Sequence, residues 1–160
     1  MKYAVFRSFF QSIAVLLLCI AATQPSQAAD SLDLARYRGK IVVVDFWASW
    51  CAPCRQSFPW LNEMQARYGD QGLVVVGVNV DRVRVEADRF LRDVPVKFEI
   101  VYDPTGALAT RYELPGMPTS FVFGRNGELI SKHIGFRNAT RDEREAELRN
   151  LLANDASGGR

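Results

Sequence analysis

The sequence has little of what metal centres and nucleic-acid interfaces require. Its 160 residues include three cysteines and one histidine, and 20 basic residues are balanced by 18 acidic ones. No basic stretch interleaved with aromatic residues occurs, which excludes nucleic acid as an expected partner. No nucleotide, flavin or metal motif is present either. We therefore predict no metal site and no cofactor apart from any redox-active cysteine pair.

The sequence also lacks an apolar run of the ~18 residues or more that a membrane-spanning helix needs. The apolar run from Ile13 to Ala22 follows Lys2 and Arg7 and precedes the small residues at positions 26–28. A positive start, a short apolar run and a small-residue cleavage site are typical of an export signal. We predict a signal peptide over residues 1–28 and a periplasmic location, with a retained N-terminal membrane anchor as the alternative.

Removal of the leader also removes Cys19, so the mature chain keeps two cysteines, Cys51 and Cys54. They follow a β-branched segment that ends near Phe46, at the predicted start of a helix. Residues three apart lie on one helical turn, close enough for a disulfide to close with a small adjustment. A helix N-terminus favours thiolate over thiol at the first cysteine. The pattern predicts reversible thiol chemistry, with Cys51 as nucleophile and Cys54 as resolving partner.

A purely structural disulfide is the alternative for this pair. Closing a loop of four residues stabilises a fold by roughly 2 kcal/mol, against about 3 kcal/mol for a loop of fifteen. So short a loop makes a weak structural cross-link, and a redox role is favoured.

The rest of the chain predicts one α/β domain over residues 29–153, followed by a flexible tail over 154–160. A continuous β-branched run at 41–44 indicates a central strand that helices cover on both faces. Asn126-Gly127 predicts a hairpin between the last two strands. The expected order is β-α-β-α-β-α-β-β-α, a mixed sheet with a parallel start and an antiparallel C-terminal hairpin. Strands are predicted at 41–46, 73–80, 95–102, 119–123 and 128–134, and the first three helices at 51–68, 81–93 and 107–112.

Local signals predict how individual helices begin and bend. Pro59 should kink the first helix, and Asp81 is predicted to cap the second. Thr140 to Glu143 has the pattern of a capping box that opens the final helix. The second helix should turn five apolar residues inward: Val83, Ala87, Phe90, Leu91 and Val94.

The motif from Val44 to Cys54, the proline at Pro59 and the segment Gly116-Met117-Pro118-Thr119 resemble the thioredoxin superfamily. Extra residues between the second strand and the proline segment make the chain similar to the exported TlpA/ResA-type members. The resemblance covers Leu34 to Leu152 and implies a thioredoxin-like sandwich with helices on both faces of the sheet.

The resemblance implies the same roles for Cys51 and Cys54, and it implies that Asp45 is a buried carboxylate near Cys54. Burial would raise the pKa of Asp45 and suit it to proton transfer. A strand-end aspartate that faces water is the alternative. Pro118 is implied to be a cis-proline facing the disulfide, which would turn the backbone of Met117 toward an extended substrate.

Two tryptophans flank the site. Trp50 and Pro53 are predicted to contribute docking surface, and Trp47 is either part of that surface or ordinary core. The single histidine, His133, is interpreted as an ordinary strand residue.

The chain departs from its relatives at two positions. Gly77 stands where cytoplasmic thioredoxins carry a lysine near the buried acid. Ser57 stands where ResA-like proteins carry a glutamate, so no role of that glutamate is transferred to this chain.

The leading functional hypothesis is an exported reductase of protein disulfides. Ala52 and Pro53 add no positive charge that would stabilise a Cys51 thiolate, whereas strong oxidants stabilise their reduced form. The resemblance implies cysteine-containing exported substrates, of the cytochrome c or copper-site maturation type, a membrane thiol reductant and a monomeric state. The alternatives are a disulfide oxidase or isomerase, a copper or zinc metallochaperone that uses the cysteines with His133, and a non-catalytic adaptor.

Overall fold

A computed structural model of the protein describes residues 32–154. The predicted leader with Cys19, the first residues of the predicted domain and positions 155–160 of the predicted tail lie outside the described residues. Asn154, the first residue of the predicted tail, is the last residue of a helix. Among residues 32–154, no helix combines the length and apolar character needed to cross a membrane.

The strand predicted to be central is central. All seven residues of β1 (Ile41–Trp47) are buried, as expected for a β-branched strand with both faces covered. It pairs in parallel with β2 (Leu73–Asn79) and antiparallel with β4 (Thr119–Phe123). The sheet order is β3-β2-β1-β4-β5, so β3 (Glu99–Tyr102) and β5 (Leu129–Ile134) form its edges. The thioredoxin-like mixed sheet is confirmed.

The hairpin predicted from Asn126-Gly127 is also confirmed, because β4 and β5 are antiparallel neighbours. Gly127 has a φ of 88°, a left-handed conformation that glycine adopts without steric cost. Its N–H donates to the carbonyl of Gly124 at 2.9 Å and closes the turn.

Helices cover the two faces of the sheet and create two cores. One contains both cysteines and is called the cysteine-side core; α1 (Ala52–Tyr68), α2 (Arg84–Asp93) and α4 (Arg141–Asn154) pack there. The other, called the opposite core, is covered by the short α3 (Ala107–Arg111). Since strand side chains alternate between faces, odd-numbered β1 residues face the cysteine-side core and even-numbered ones face the opposite core.

Two local predictions differ from the structure, and a third is not tested by it. The third strand is shorter than predicted and begins at Glu99. The capping box at Thr140 does not form, because the Thr140 hydroxyl donates to the carbonyl of Arg137 at 2.9 Å within a 3-10 turn. Such local side-chain bonds to the backbone compete with capping. Helix α1 runs through Pro59 to Tyr68, and the kink stays a prediction.

The predicted start of α2 is wrong. The helix begins at Arg84 after Val83, whose side chain is 53% exposed rather than turned inward. Asp81 lies before the helix and does not cap it, because its carboxylate bonds to Ser49 and Asn79 instead. The inward positions of Ala87 and Phe90 are confirmed, since both side chains are buried, and Leu91 and Val94 pack partly buried against the same core.

Candidate active site

Cys51 and Cys54 form a disulfide at the N-terminus of α1, with Cα atoms 5.3 Å apart. Cys51 is the N-cap residue in an extended conformation, and its Sγ accepts a hydrogen bond from the Cys54 N–H at 3.2 Å. Pro53 lies in the first turn, where a missing N–H costs nothing. The sulfur of Cys51 therefore lies where helix N–H groups stabilise negative charge.

The two sulfurs differ in access. Cys51 retains 5% exposure and Cys54 retains none. Trp50, directly before Cys51, is 70% exposed, and Pro53 is exposed between the cysteines. An incoming thiol or disulfide meets the edge of Cys51 first, beside an exposed indole.

The Met117–Pro118 peptide bond is cis, as predicted. Pro118 is buried. Thr119, the next residue, pairs with Phe46 across the sheet, so Pro118 lies at the end of β1 from which the cysteine loop leaves. Met117 is partly buried and packs against both cores, one of which contains the two cysteines. The proline segment and the disulfide therefore border the same end of the sheet.

Asp45 faces the cysteine-side core and is 1% exposed, so the alternative of a water-facing aspartate is wrong. Its Oδ1 accepts a hydrogen bond from the Ser120 hydroxyl at 2.6 Å. Its Oδ2 has no hydrogen-bond partner within residues 32–154. Burial raises the pKa of Asp45 to about 7, and the Ser120 hydrogen bond and the charge of Arg144 oppose that rise. A carboxyl group of this kind exchanges protons near neutral pH.

Arg144 is a residue that the sequence reasoning missed. It is 9% exposed on α4, and its guanidinium donates to the carbonyl of Gly135 at 2.8 Å. Its charge is the one that partly compensates Asp45. Arg144 lies four residues before Leu148, so helical spacing puts it on the core-facing side of α4. A charged residue four positions before a core leucine of a helix was the sequence signal that could have identified Arg144.

Gly77 leaves no room on β2 for a side chain that could compensate Asp45. It pairs with Asp45 across β1 and β2. A Cβ at this position would lie 2.9 Å from Cδ1 of Ile100 and 3.1 Å from Nε1 of Trp47. Those contacts leave no room for a lysine side chain without repacking.

Ser57 is buried, and its hydroxyl donates to the carbonyl of Cys54 at 3.0 Å. This side chain therefore bonds the backbone of the resolving cysteine and adds no charge to the site.

Trp47 belongs to the core. It is fully buried and packs against the rings of Phe58 and Phe90, with centroids 4.9 Å away in both cases. Of the two tryptophans, Trp50 alone has the exposure that a docking surface requires.

His133 lies on β5, where its Nε2 is 2.7 Å from the carboxylate of Glu147. Within the described part of the chain, no group of three or more His, Cys, Asp or Glu side chains is arranged to hold a metal ion. The absence of a metal or cofactor stays a prediction.

Asp81 fixes the loop that leads into Cys51, and the sequence did not predict this role. Its carboxylate accepts from the Ser49 N–H at 2.9 Å, the Ser49 hydroxyl at 3.0 Å and the Asn79 amide at 2.8 Å. All of these groups are buried or partly buried. The two bonds from Ser49 therefore hold the loop against the end of β2, and the bond from Asn79 fixes the carboxylate that accepts them.

Replacing Asp81 with alanine should destabilise the protein by about 2–3 kcal/mol, because buried donors on Ser49 and Asn79 lose their acceptor. Urea denaturation of the oxidised protein measures this effect. The matched control is Asp70→Ala, at an exposed turn position, which should change stability by less than about 0.5 kcal/mol. Equal losses in the two variants would contradict a special role for Asp81.

Comparison with known proteins places this site in a family. A sequence profile described as the AhpC/TSA family matches residues 19–132. The chain belongs to this family. The chain is also 29% identical over 154 residues to the thiol-disulfide oxidoreductase ResA of Geobacillus kaustophilus (strain HTA426). That match covers 93% of this chain and 86% of the relative.

Two solved structures of similar proteins agree with this family assignment. A Chlorobium tepidum protein named as a thiol:disulfide interchange protein DsbE shares 45% identity and a TM-score of 0.74, covering 76% of this chain and 86% of that one. StoA from Bacillus subtilis shares 26% identity and a TM-score of 0.59, covering 68% and 84% respectively. The sequence-based resemblance to ResA-type proteins is confirmed. With its cysteine pair, the protein is a thioredoxin-like thiol-disulfide oxidoreductase.

Proposed function

We propose that this protein is exported and reduces disulfide bonds in other exported proteins. The observation that carries the proposal is the Cys51–Cys54 disulfide at a helix N-terminus, where the edge of Cys51 is reachable beside an exposed Trp50 and Cys54 is fully buried. This asymmetry favours attack through Cys51 and resolution from inside by Cys54.

The exchange proceeds in two steps from the reduced protein. The Cys51 thiolate attacks one sulfur of the substrate disulfide, and the other substrate sulfur leaves as a thiolate that takes a proton from water. The Cys54 thiol then gives its proton to the Asp45 carboxylate and attacks Sγ of Cys51. The second substrate sulfur leaves as a thiolate that takes a proton from water, the Cys51–Cys54 bond forms, and two electrons have passed to the substrate.

The environment of Cys51 supports the reducing direction. A strong oxidant needs its reduced form stabilised, as by extra positive charge next to the nucleophile. Ala52 and Pro53 provide none, and the guanidinium of Arg55 lies over the ring of Phe90, 4.6 Å from its centroid. Helix N–H groups remain as the stabilising feature at Cys51.

The proposed location rests on the chain's own leader sequence, and the proposed partners rest on its resemblance to ResA-type proteins. The leader pattern of residues 1–28 supports export, and a compartment without a soluble thiol reductant requires electrons from a membrane thiol carrier. Substrates are then cysteine-containing exported proteins, with cytochrome c or copper-site maturation as the proposed setting. The protein is proposed to act as a monomer.

The reduction potential of the Cys51/Cys54 couple tests the direction. In a protein that begins at Ala29, equilibrated in thiol buffers and followed by tryptophan fluorescence, we expect a potential below roughly −200 mV. A potential near about −120 mV would instead identify a disulfide donor.

A matched pair of variants checks the reasoning behind this expectation. Pro53→His places an ionisable ring next to Cys51 and should raise the potential by about 30 mV or more, which corresponds to about 1.4 kcal/mol. Gln56→His, one turn further along α1 at an exposed position, should change the potential much less. Equal shifts in both variants would show that local charge at Cys51 does not set the potential.

A further inference from the structure

A row of polar side chains crosses the sheet from its centre to one edge. Asp45 on β1 is the register partner of Ser120 on β4, and Ser120 is the register partner of His133 on β5. Directly opposed strand residues carry their side chains on the same face, with Cβ atoms about 4.5–5.5 Å apart. Exposure rises along the row, because Asp45 is 1% exposed, Ser120 6%, and the His133 side chain 27%.

Hydrogen bonds join both ends of this row. The Ser120 hydroxyl donates to Asp45 Oδ1 at 2.6 Å. At the sheet edge, His133 Nε2 is 2.7 Å from Glu147 Oε2, and the Glu147 side chain is 26% exposed. In its Nε2–H tautomer His133 donates this hydrogen bond to Glu147, and the Ser131 hydroxyl lies 3.3 Å from the same Nε2. One end of the row reaches the buried acid and the other reaches solvent.

A small cavity lies between the two ends. Its polar lining consists of Ser120, His133, Arg144 and Glu147, and four apolar side chains complete it. The space open to the centre of a water molecule is about 10 Å³, which approaches the room that one water needs. The surface of this cavity is mostly apolar, and the lining groups that can bond a water are those of Ser120, His133, Arg144 and Glu147.

Asp45 needs a route of this kind if it exchanges protons during catalysis. The carboxyl is excluded from solvent, and only its bond to Ser120 leads away from it among the described residues. On the β2 side, Gly77 offers no polar side chain. The charged groups that face the row come from α4, where Arg144 lies toward Asp45 and Glu147 lies against His133.

We propose that Ser120, one water in the cavity and the His133–Glu147 pair form the proton route between Asp45 and solvent. This inference rests on the proposed role of Asp45 as the proton acceptor for Cys54. After Cys54 has given its proton to Asp45, the carboxylic acid passes a proton to the Ser120 oxygen while the Ser120 proton moves to the water. The water passes a proton to His133, which releases one to Glu147 and solvent. Ser120, the water and Glu147 end as they began, His133 ends with its proton on the other ring nitrogen and regains the Nε2–H by exchange with solvent, and Asp45 returns to the carboxylate.

Stopped-flow fluorescence of the reduced full domain with excess oxidised glutathione tests the route. Attack by Cys51 is second order, whereas resolution by Cys54 is first order and independent of glutathione. We expect His133→Ala to slow the first-order phase by about ten-fold, less than is typical for loss of a direct general base, and added imidazole to restore it. Glu147→Gln and Ser120→Ala should slow the same phase, without rescue by imidazole, and second-order attack should stay unchanged in all three variants.

The matched control is Lys132→Ala, on the same strand as His133 but exposed on the other face, which should leave both phases at wild-type rates. The route is overturned if His133→Ala and Glu147→Gln resolve at the wild-type rate while Asp45→Asn is slow. It is also overturned if His133→Ala slows attack and resolution equally and imidazole restores neither, because that result indicates a structural defect. An Asp45→Asn variant that resolves at the wild-type rate overturns the role of Asp45 and the route together.

Discussion

Replacing Cys51 with serine is expected to reduce disulfide exchange to the uncatalysed background, a loss on the order of a thousand-fold or more, because a serine hydroxyl is a far weaker nucleophile than a thiolate and forms no disulfide. Cys54 cannot substitute for it, since Cys54 is fully buried while Cys51 keeps the reachable edge. The measurement is the rate of reduction of a disulfide-containing protein such as insulin with a thiol regenerant.

The companion variant Cys54→Ser should behave differently. It retains the attacking sulfur but loses the resolving one, so the mixed disulfide with substrate should accumulate. Non-reducing gels and intact-mass spectrometry detect this adduct, and reduction with dithiothreitol should release it. The double variant Cys51→Ser, Cys54→Ser should form no adduct. Turnover by Cys51→Ser, or an adduct formed through Cys54 in that variant, would reverse the two assignments.

The fold was predictable because its main signals are local and repeated. The β-branched run in β1 indicates a strand that is buried on both faces. Asn126-Gly127 specifies the hairpin between β4 and β5 through backbone geometry alone. The helix after Cys51 was likewise expected, and it begins at Ala52. In each case the deciding interaction lies within a few residues of the signal.

Apart from Pro118, which the resemblance to the thioredoxin superfamily implied, only the part of the site close to the cysteines in sequence could be predicted. Cys51, Cys54 and Asp45 lie within ten residues of one another, whereas Ser120 and Arg144 reach Asp45 through strand register and helix packing. Ser120 is 75 positions away from Asp45 in sequence. Register depends on how all the strands pair, and no short motif specifies it.

Asp81 shows that a local sequence signal can also predict a contact that the fold does not form. An aspartate just before a helix is usually read as an N-cap, but Asp81 is 4% exposed and its acceptors are used by Ser49 and Asn79. Parallel pairing of β1 and β2 brings the residues after both strands to one edge of the sheet. A tertiary hydrogen-bond site therefore competes with the local cap and wins.

Asp45 should make the stability of the oxidised protein fall as pH rises. Burial raises the pKa of Asp45 from an ordinary value of 3.8 to about 7 in the folded state. A group whose pKa is higher in the folded state stabilises the fold fully below its unfolded pKa, and that contribution is lost as pH rises through the folded pKa. The window therefore runs from about pH 4 to about pH 7. Converted at about 1.4 kcal/mol per pH unit, the interval corresponds to about 4 kcal/mol.

The variant Asp45→Asn removes this titration while keeping the shape of the side chain. Relative to wild type, its free energy of unfolding should therefore rise by about 4 kcal/mol between about pH 4 and about pH 8, whatever constant offset the new amide introduces. Urea denaturation of both oxidised proteins across this range measures the difference. The same variant should slow resolution of the mixed disulfide, so the gain in relative stability from low to high pH should accompany lower activity.

The control for this measurement is Asp70→Asn, an aspartate exposed in the turn after α1. Its stability difference from wild type should stay constant within about 0.5 kcal/mol over the same pH range. A pH-independent difference for Asp45→Asn would mean that Asp45 stays ionised in the folded protein at pH 5. In that case Arg144 and Ser120 would outweigh burial, and a carboxylate held ionised in this way would be a poor proton carrier for Cys54. Stability and catalysis at Asp45 thus depend on the same balance between burial and the charge of Arg144.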